Sequence, residues 1–402
     1  MILYVYAGWL EDTPLIGKIY QDNNNAQEVY SFEYDQAWLK NCNFYIDPNV
    51  YSYEGRQYSN EKTFGFISDC LPDRWGRTLL DRNESIVSKL ENRRAKKLND
   101  IDYLLRTNDY LRTGGLRFKL EKDGEFVANS NSYSIPVFTN LKQLEQASIC
   151  LEKTSNYDKY LKDLLSPGSS LGGARPKASV MDDNGDLWIA KFPSKNDDYD
   201  VGAFEKLSYD LAKMCGIKVS ESKIIKFSEY GSTFLTKRFD RIKTKRIHFS
   251  SAMNLLNKKD GEVASYIEIA SFIRENGGNP KDDLKELFKR LVFNMVISNT
   301  DDHLRNHGFL LIKNKWELSP AYDLNPVIDK DYLSLNISDN DSYISFDILS
   351  DVYKYFSISK TEAETIVENT KRTVKNNWVN IAKKYKIKKE EIEHMKTAFR
   401  VD

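Results

Sequence analysis

The segment DDLKELFKRLVFNMVIS, residues 282–298, places Leu284, Leu287, Phe288, Leu291, Val292, Met295 and Val296 at helical spacing. That pattern predicts a helix with one face turned into a core. It runs without a break into NTDDHLRNHGF (299–309), where Asp301, Asp302, His303, Asn306 and His307 fall within seven positions. A dense polar loop must therefore leave directly from the end of a buried helix. GFLLIK and KWELS follow and read as a short hairpin, and SPAYDL then brings Asp323. Helix, acidic loop, hairpin and a further Asp form a specific order.

At 402 residues the chain is long enough for two or three domains. Lys plus Arg and Asp plus Glu are both 59, so no strongly basic nucleic-acid footprint is expected of this chain. Cys42, Cys70, Cys150 and Cys215 lie far apart with no CxxC, which predicts free thiols in a reducing compartment. MILYVYAGWL lacks a basic leader and meets Glu11 at once, so it reads as a strand and not as a signal peptide. No apolar run approaches the roughly 18 residues that span a bilayer. These features predict a soluble, cytoplasmic protein that does not engage membranes.

Three parts are expected: an aromatic-rich N-terminal module (1–110), a β-rich lobe (111–240) and an α-rich lobe (241–402). In the first, LPDRWGRTLLDR (71–82) reads as a turn entering a helix, and the basic run ENRRAKKLND (91–100) as a solvated helix face. Residues 115–240 read mainly as strands. ARPKASVMD and LWIAKFP flank Asp183-Asn184-Gly185, a strong hairpin signal. A helix is expected over 200–214, stopped at Gly216, and then two strands around Gly231. The tail, with VYKYF, TIVENT and WVNIAKKYK, reads as helical.

The polar loop admits several chemistries. His303 and His307 stand at i, i+4, but Leu304 occupies the place of the Glu in HExxH, and no third zinc ligand is evident. A solvated turn would explain any one of these residues alone. Asp301 precedes Asn306 by five residues, the interval of the kinase catalytic loop HRDxxxxN, where Asp accepts a hydroxyl proton and Asn binds Mg²⁺. Asp323, beyond the hairpin, stands where kinases carry a second Mg²⁺ ligand.

The β-rich lobe should then supply a phosphate-binding lysine. Lys191 in WIAKFP has the character of the V-A-I-K lysine, and Glu205 on the following helix can reach back to it. LSPGSSLGGARPK (165–177) carries Gly172 and Gly173 without the GxGxxG spacing, so alone it also reads as a flexible connection.

Together SSLGGARPKAS, IAKFP, AFEKLSYDLAKMCGI, TKRFDR, NTDDHLRNHGF and SPAYDL, with LPDRWGR and RTGGLRF upstream, resemble the HipA-type toxin kinases of bacterial toxin–antitoxin modules. The resemblance covers nearly the whole chain. It implies an α+β, two-lobed, protein-kinase-like fold with an N-terminal β-containing module, and ATP- and Mg²⁺-dependent Ser/Thr kinase activity. By the same resemblance Asp301 is the catalytic base, His303 the catalytic-loop histidine, and Asn306 and Asp323 the metal ligands. Lys191, with Glu205, meets the ATP phosphates; the backbone of Lys237, Arg238 and Phe239 cups adenine; Ser170, or Ser169 beside it, is autophosphorylated in the Gly-rich loop.

The implied partners are a HipB-like helix-turn-helix antitoxin, through which alone DNA is met, and a protein substrate with the translation machinery as candidate source. Asp302 stands where the family commonly has a small residue, Arg175-Pro176 replaces a more usual polar pair, and Lys237 stands where an acidic residue can occur. Two alternatives remain: a catalytically weak kinase-fold binding protein acting through an antitoxin–DNA complex, and a metal-dependent phosphohydrolase centred on Asp301, Asp302 and His303.

Overall fold

Along Ile2–Ala7 (β1) the inward residues are Leu3, Val5 and Ala7, the pattern of a strand laid against a core. The computed structural model describes residues 1–402 apart from 25–26, 42–45, 60–62, 129–134, 154–157 and 169–174. The fold is α+β, with antiparallel sheets. Contacts divide the chain into two compact units: Met1–Lys195 with Asp240–Ser250, and Asn196–Phe239 with Ser251–Asp402.

In the first unit β1 joins Leu15–Asn24 (β2), Gln27–Tyr34 (β3), Gln57–Tyr58 (β4) and Leu116–Lys119 (β5) in an antiparallel sheet ordered β4-β3-β2-β1-β5. Helices Gln36–Asn41 (α1) and Gly65–Ser68 (α2) follow, and Phe32, Phe64 and Phe66 cluster at ring distances of 5.5–6.2 Å. Asp73 caps Arg74–Leu90 (α3) by accepting from the Arg74 N–H, and Trp75 Nε1 donates to the Lys177 carbonyl (3.0 Å).

The run 91–100 is not a helix face. Asn92 turns left-handed (φ 50°) and ends α3, and the Arg93 N–H closes onto the Ser88 carbonyl (2.9 Å). The irregular chain beyond it is gathered by buried Glu84, which pairs with Arg93 (2.5 Å) and Arg106 (2.9 Å) and accepts the Lys96 N–H (2.9 Å). The Arg93 hydrogen bond leads the effects that lower the Glu84 carboxyl to about 2. Asp100–Arg106 (α4) then begins with an Asn99 capping box.

Residues 115–240 contain more helix than expected. Leu141–Lys153 (α5) and Asp158–Gly168 (α6) bury Leu141, Leu144, Leu151, Leu161 and Leu164. The anticipated hairpin is present: Lys177–Met181 (β6) pairs with Leu187–Lys191 (β7), joined through Gly185 at φ 75°. Asp182 organises that turn, accepting from the Asn184 and Asp186 N–H groups and from Trp188 Nε1.

Segment 112–118, RTGGLRF, ties 240–246 into this unit. Asp109, 1% exposed, meets Arg112 (3.0 Å), Arg117 (2.7 Å) and Arg246 (3.0 Å). Asp240 accepts the Gly114 N–H and the Arg241 guanidinium, both at 2.8 Å. Burial pushes the Asp109 carboxyl up, but the three guanidiniums outweigh it and hold it below the usual range.

The second unit opens with Val201–Met214 (α7), stopped as expected at left-handed Gly216 (φ 72°). Ser222–Ser228 (β8) and Gly231–Lys237 (β9) pair around Gly231. α7 approaches β9 so closely at Gly202 that a Cβ there would lie 2.0 Å from the Ser232 carbonyl oxygen. Asp200 caps the helix and also receives the Ser232 N–H and hydroxyl (both 2.8 Å).

Ala252–Leu255 (α8) and Tyr266–Asn276 (α9) precede the anticipated core helix, Pro280–Val296 (α10). All seven of its apolar positions singled out in the sequence are buried. Beyond lie the 308–318 hairpin, with left-handed Lys313 and Asn314 at its tip, and helices Leu349–Val352 (α11), Lys360–Lys384 (α12) and Lys389–His394 (α13).

Candidate active site

α10 ends in a Schellman turn: the Ser298 N–H reaches the Met295 carbonyl and the Asn299 N–H the Asn294 carbonyl (2.8 Å). Glycine usually occupies the left-handed position of such a turn, yet here it is Ser298, 1% exposed at φ 48°. That conformation costs a residue with a Cβ about 1–2 kcal/mol, and it launches 299–307 out of the core.

Within the loop two adjacent aspartates separate completely. Asp301 is exposed, whereas Asp302 is buried among Tyr266, which donates its phenol, and His307 Nε2 (3.1 Å). Asn294 supports Tyr266 (3.0 Å) and accepts from Asn299 Nδ2 (3.2 Å). Burial raises the Asp302 carboxyl, but His307 and the Tyr266 hydroxyl bring it below the ordinary range; burial and the Asp302 charge push the Tyr266 phenol well above 10. Asp302 and His307 thus anchor the loop, a role the sequence alone did not expose.

Asn306 donates from Nδ2 to the Asp301 carbonyl (3.2 Å), so five-residue spacing does bring these two together and fixes the carboxamide. The Asn306 N–H reaches the His303 carbonyl (2.8 Å), and His303 Nδ1 is buried without a hydrogen-bond partner among the described residues.

Beyond the hairpin, Asp323 is also left-handed (φ 60°), an uncommon backbone that concentrates at functional sites. Asn325 Nδ2 donates to its carboxylate (3.1 Å) and Asn299 Nδ2 approaches its carbonyl (3.5 Å). The side-chain oxygens of Asn299 and Asn325 are buried with no hydrogen-bond partner among the described residues. Carboxylate and carboxamide oxygens are hard donors, which suits Mg²⁺. No group of three His, Cys, Asp or Glu among the described residues could hold an ion; a cation that takes one or two protein ligands and completes its shell with phosphate and water needs no such group.

Phe239 lies against Tyr322 (5.5 Å, 35°), whose hydroxyl donates to the Arg305 carbonyl (2.6 Å), so this aromatic pair is tied to the loop. Lys237 ends β9 and Arg238 is buried. Glu205, 1% exposed, sits in the second turn of α7 in the second unit; Lys191 ends β7 in the first, opposite Lys177. Ser169, Ser170, Gly172 and Gly173 lie outside the described residues. Asn299, Asn325, Tyr322 and Tyr266 escaped the sequence reading; the first two flank the expected motif, while the tyrosines carry no local signal.

Among the described residues no helix is long and apolar enough to cross a membrane, and Cys70, Cys150 and Cys215 are free. Two curated relatives, provisionally named kinases of Haemophilus influenzae and Sinorhizobium fredii (Y4dM), are each 28% identical over 179 and 174 residues. Those matches cover 39% and 38% of this chain and 52% and 42% of the relatives, so the chain spans about half their length. A HipA chain of Shewanella oneidensis MR-1, solved with HipB and its operator DNA, superposes with a TM-score of 0.67 at 16% identity. The superposition covers 99% of this chain and 96% of that one, a likeness of fold. Residues 9–102 match the HipA N-terminal domain and 169–378 the HipA-like C-terminal domain; the chain belongs to the HipA family.

Proposed function

We propose that this protein is a Ser/Thr protein kinase, dependent on ATP and Mg²⁺, that acts as the growth-inhibiting toxin of a toxin–antitoxin pair. The observation that carries the reading is the loop itself: Asp301 in water, Asn306 locked to its backbone, and left-handed Asp323 flanked by two asparagines with unfilled oxygens. Family membership and the kinase designations of the relatives support it.

Bound Mg²⁺–ATP would supply the phosphoryl group and neutralise its charge. Asp301 accepts the proton of the substrate hydroxyl, and the loop holding it is fixed by Asp302, His307 and His303. Asn306 and Asp323 would hold the metal through their side-chain oxygens. Lys191 and Glu205 are the residues proposed to serve the ATP phosphates, together with Gly172 and Gly173, and Ser170 is the proposed autophosphorylation site. The Lys237–Phe239 backbone and the Phe239–Tyr322 pair would hold the adenine. A HipB-like helix-turn-helix antitoxin is the proposed partner, DNA being reached only through it, and the substrate is a cytoplasmic protein. The division into 1–110, 111–240 and 241–402 belongs to the same proposal.

The test is phosphate transfer by the whole chain, with nucleotide binding measured by calorimetry. Asp301→Ala should cut the rate at least about 10²-fold while sparing Mg²⁺–ATP binding, whereas Asp323→Ala should weaken binding itself. Normal transfer by the Asp301 variant would remove the assignment.

A further inference from the structure

Arg400 stands where three segments of the second unit converge. Its N–H donates to the Val296 carbonyl at the end of α10 (2.7 Å). Its guanidinium donates through Nε to Ser298 Oγ (2.9 Å), and through Nη2 to the Lys330 carbonyl (2.9 Å) and Asp331 Oδ1 (2.6 Å). Phe399 beside it stacks on Trp378 of α12 (4.4 Å, 18°), which pins the arm in place.

Ser298 needs such a grip. It occupies the left-handed position of the turn that launches the loop, where a residue with a Cβ must be held by its surroundings. Besides the turn's own bonds, three contacts hold it: the Thr300 and Val327 N–H groups on its carbonyl (2.8 and 3.1 Å) and the Arg400 guanidinium on its hydroxyl. The segment that Arg400 grips at 330–331 returns at Ser334, whose N–H (3.0 Å) and hydroxyl (2.8 Å) both donate to the Thr300 carbonyl. Residues 298 and 300 are therefore fastened to the same segment, one through Arg400 and one directly. Asp301 comes next.

We infer that Arg400 is a positioning residue for the loop bearing Asp301: by bridging Ser298 to 330–331 it keeps the left-handed turn that aims the aspartate. The inference rests on the kinase reading for its consequence in rate, but the bridge itself is independent of it.

Three full-length variants test it: Arg400→Ala, Arg400→Lys, and Ser298→Gly combined with Arg400→Ala. Initial rates are read with casein as phosphate acceptor over a range of ATP concentrations, and hydrogen exchange is read at the amides of 299–307. Arg400→Ala should lower kcat about ten- to a hundredfold with KM for ATP unchanged, as expected of a displaced reacting group. The Asp302 and Asn306 amides, which donate to the Asn299 and His303 carbonyls, should exchange about tenfold faster. Arg400→Lys should recover part of the rate. Ser298→Gly should recover most of it, because glycine keeps the turn without a clamp.

Wild-type kcat and exchange in Arg400→Ala would overturn the inference, as would a double variant no better than the single one. If the unmodified chain transfers no phosphate, the kinase reading fails, while exchange still decides whether Arg400 holds the loop. Should Arg400→Ala not fold, Arg400→Gln is read in the same two ways.

Discussion

Asp109 in the first unit faces three guanidiniums, those of Arg112, Arg117 and Arg246, and Asp302 in the second faces a phenol and an imidazole. Both carboxylates are buried and both are held below the usual range. A guanidinium is charged at every physiological pH and presents a rigid fork, so Asp109 sits inside a permanent ionic lattice that fastens 240–246 to 109–117. Tyr266 and His307 present a phenol and an imidazole in place of guanidiniums. They fix the backbone beside Asp301 without placing a permanent cation next to it, and such a cation would make Asp301 a poorer base. One network serves to lock architecture, the other to hold the loop that bears Asp301, the proposed base.

The comparison breaks most visibly at Asp109. Asp109→Asn leaves three guanidiniums buried without their carboxylate, and removing one partner of a buried ionic network costs about 3–5 kcal/mol. Urea unfolding of the whole chain should show that loss. A cost under about 1 kcal/mol would mean that water, and not Asp109, satisfies the arginines.

Asp302→Asn is the matched change. The amide can still accept from Tyr266 but turns an N–H₂ or a weaker acceptor toward His307. Its expected cost is about 1–3 kcal/mol, the penalty for a buried polar group left imperfectly paired. Phosphate transfer should suffer more than stability, since the loop shifts under Asp301. Should the Asp302 variant unfold more readily than the Asp109 variant while keeping its rate, the two networks have been assigned the wrong way round.

How far these features were legible in the sequence depends on whether their signal is local. The Asp-Asn-Gly hairpin, the Gly216 stop and the apolar stripe of α10 are written in adjacent residues, and each is found where expected. The spacing of Asp301 and Asn306 was equally readable, and the Asn306 bond to the Asp301 carbonyl follows from it. α5 and α6 were missed although Leu141, Leu144 and Leu151 carry a helical period, because the strands around them set the expectation. The run at 91–100 misled because its charge suggested a helix face, whereas the left-handed Asn92 ends the helix and Glu84 gathers the irregular chain beyond it. Neither buried network was visible: Tyr266 lies 36 residues from Asp302, and Arg246 lies 137 from Asp109. Pairing at such distances is a product of the fold, not of spacing.

Acid sharpens the contrast on the side of the first unit. Glu84 is held at about 2, chiefly by its Arg93 hydrogen bond, and Asp109 is lowered by arginines. A folded value below the unfolded one means that stability is fully present above the ordinary carboxylate range and is lost as pH falls through the folded value. Unfolding free energy should therefore stay level from pH 7 to about 5 and decline from about 4.5 toward 2. In Glu84→Gln that decline should be shallower; an unchanged acid limb would show that Glu84 is not paired in solution.

The smallest expected effect comes from Tyr266→Phe. The substitution keeps the ring, which lies edge-on to His307 at 5.3 Å and 79°, and deletes only the hydroxyl. Asp302 then loses one donor but keeps His307, and Asn294 Nδ2 loses its acceptor. Loss of one such bond should cost about 0.5–1.5 kcal/mol in unfolding experiments. With the hydroxyl gone, the Asp302 carboxyl should move upward toward its unfolded value, so its share of the acid limb of stability should shrink and end at a higher pH in this variant. Its rate should fall less than that of Asp302→Asn, because His307 alone still ties the loop to the core. A cost as large as that of Asp109→Asn would erase the distinction between charged and neutral donors. It would place the Tyr266–Asp302 bond, and not the arginine lattice, at the centre of this protein's stability.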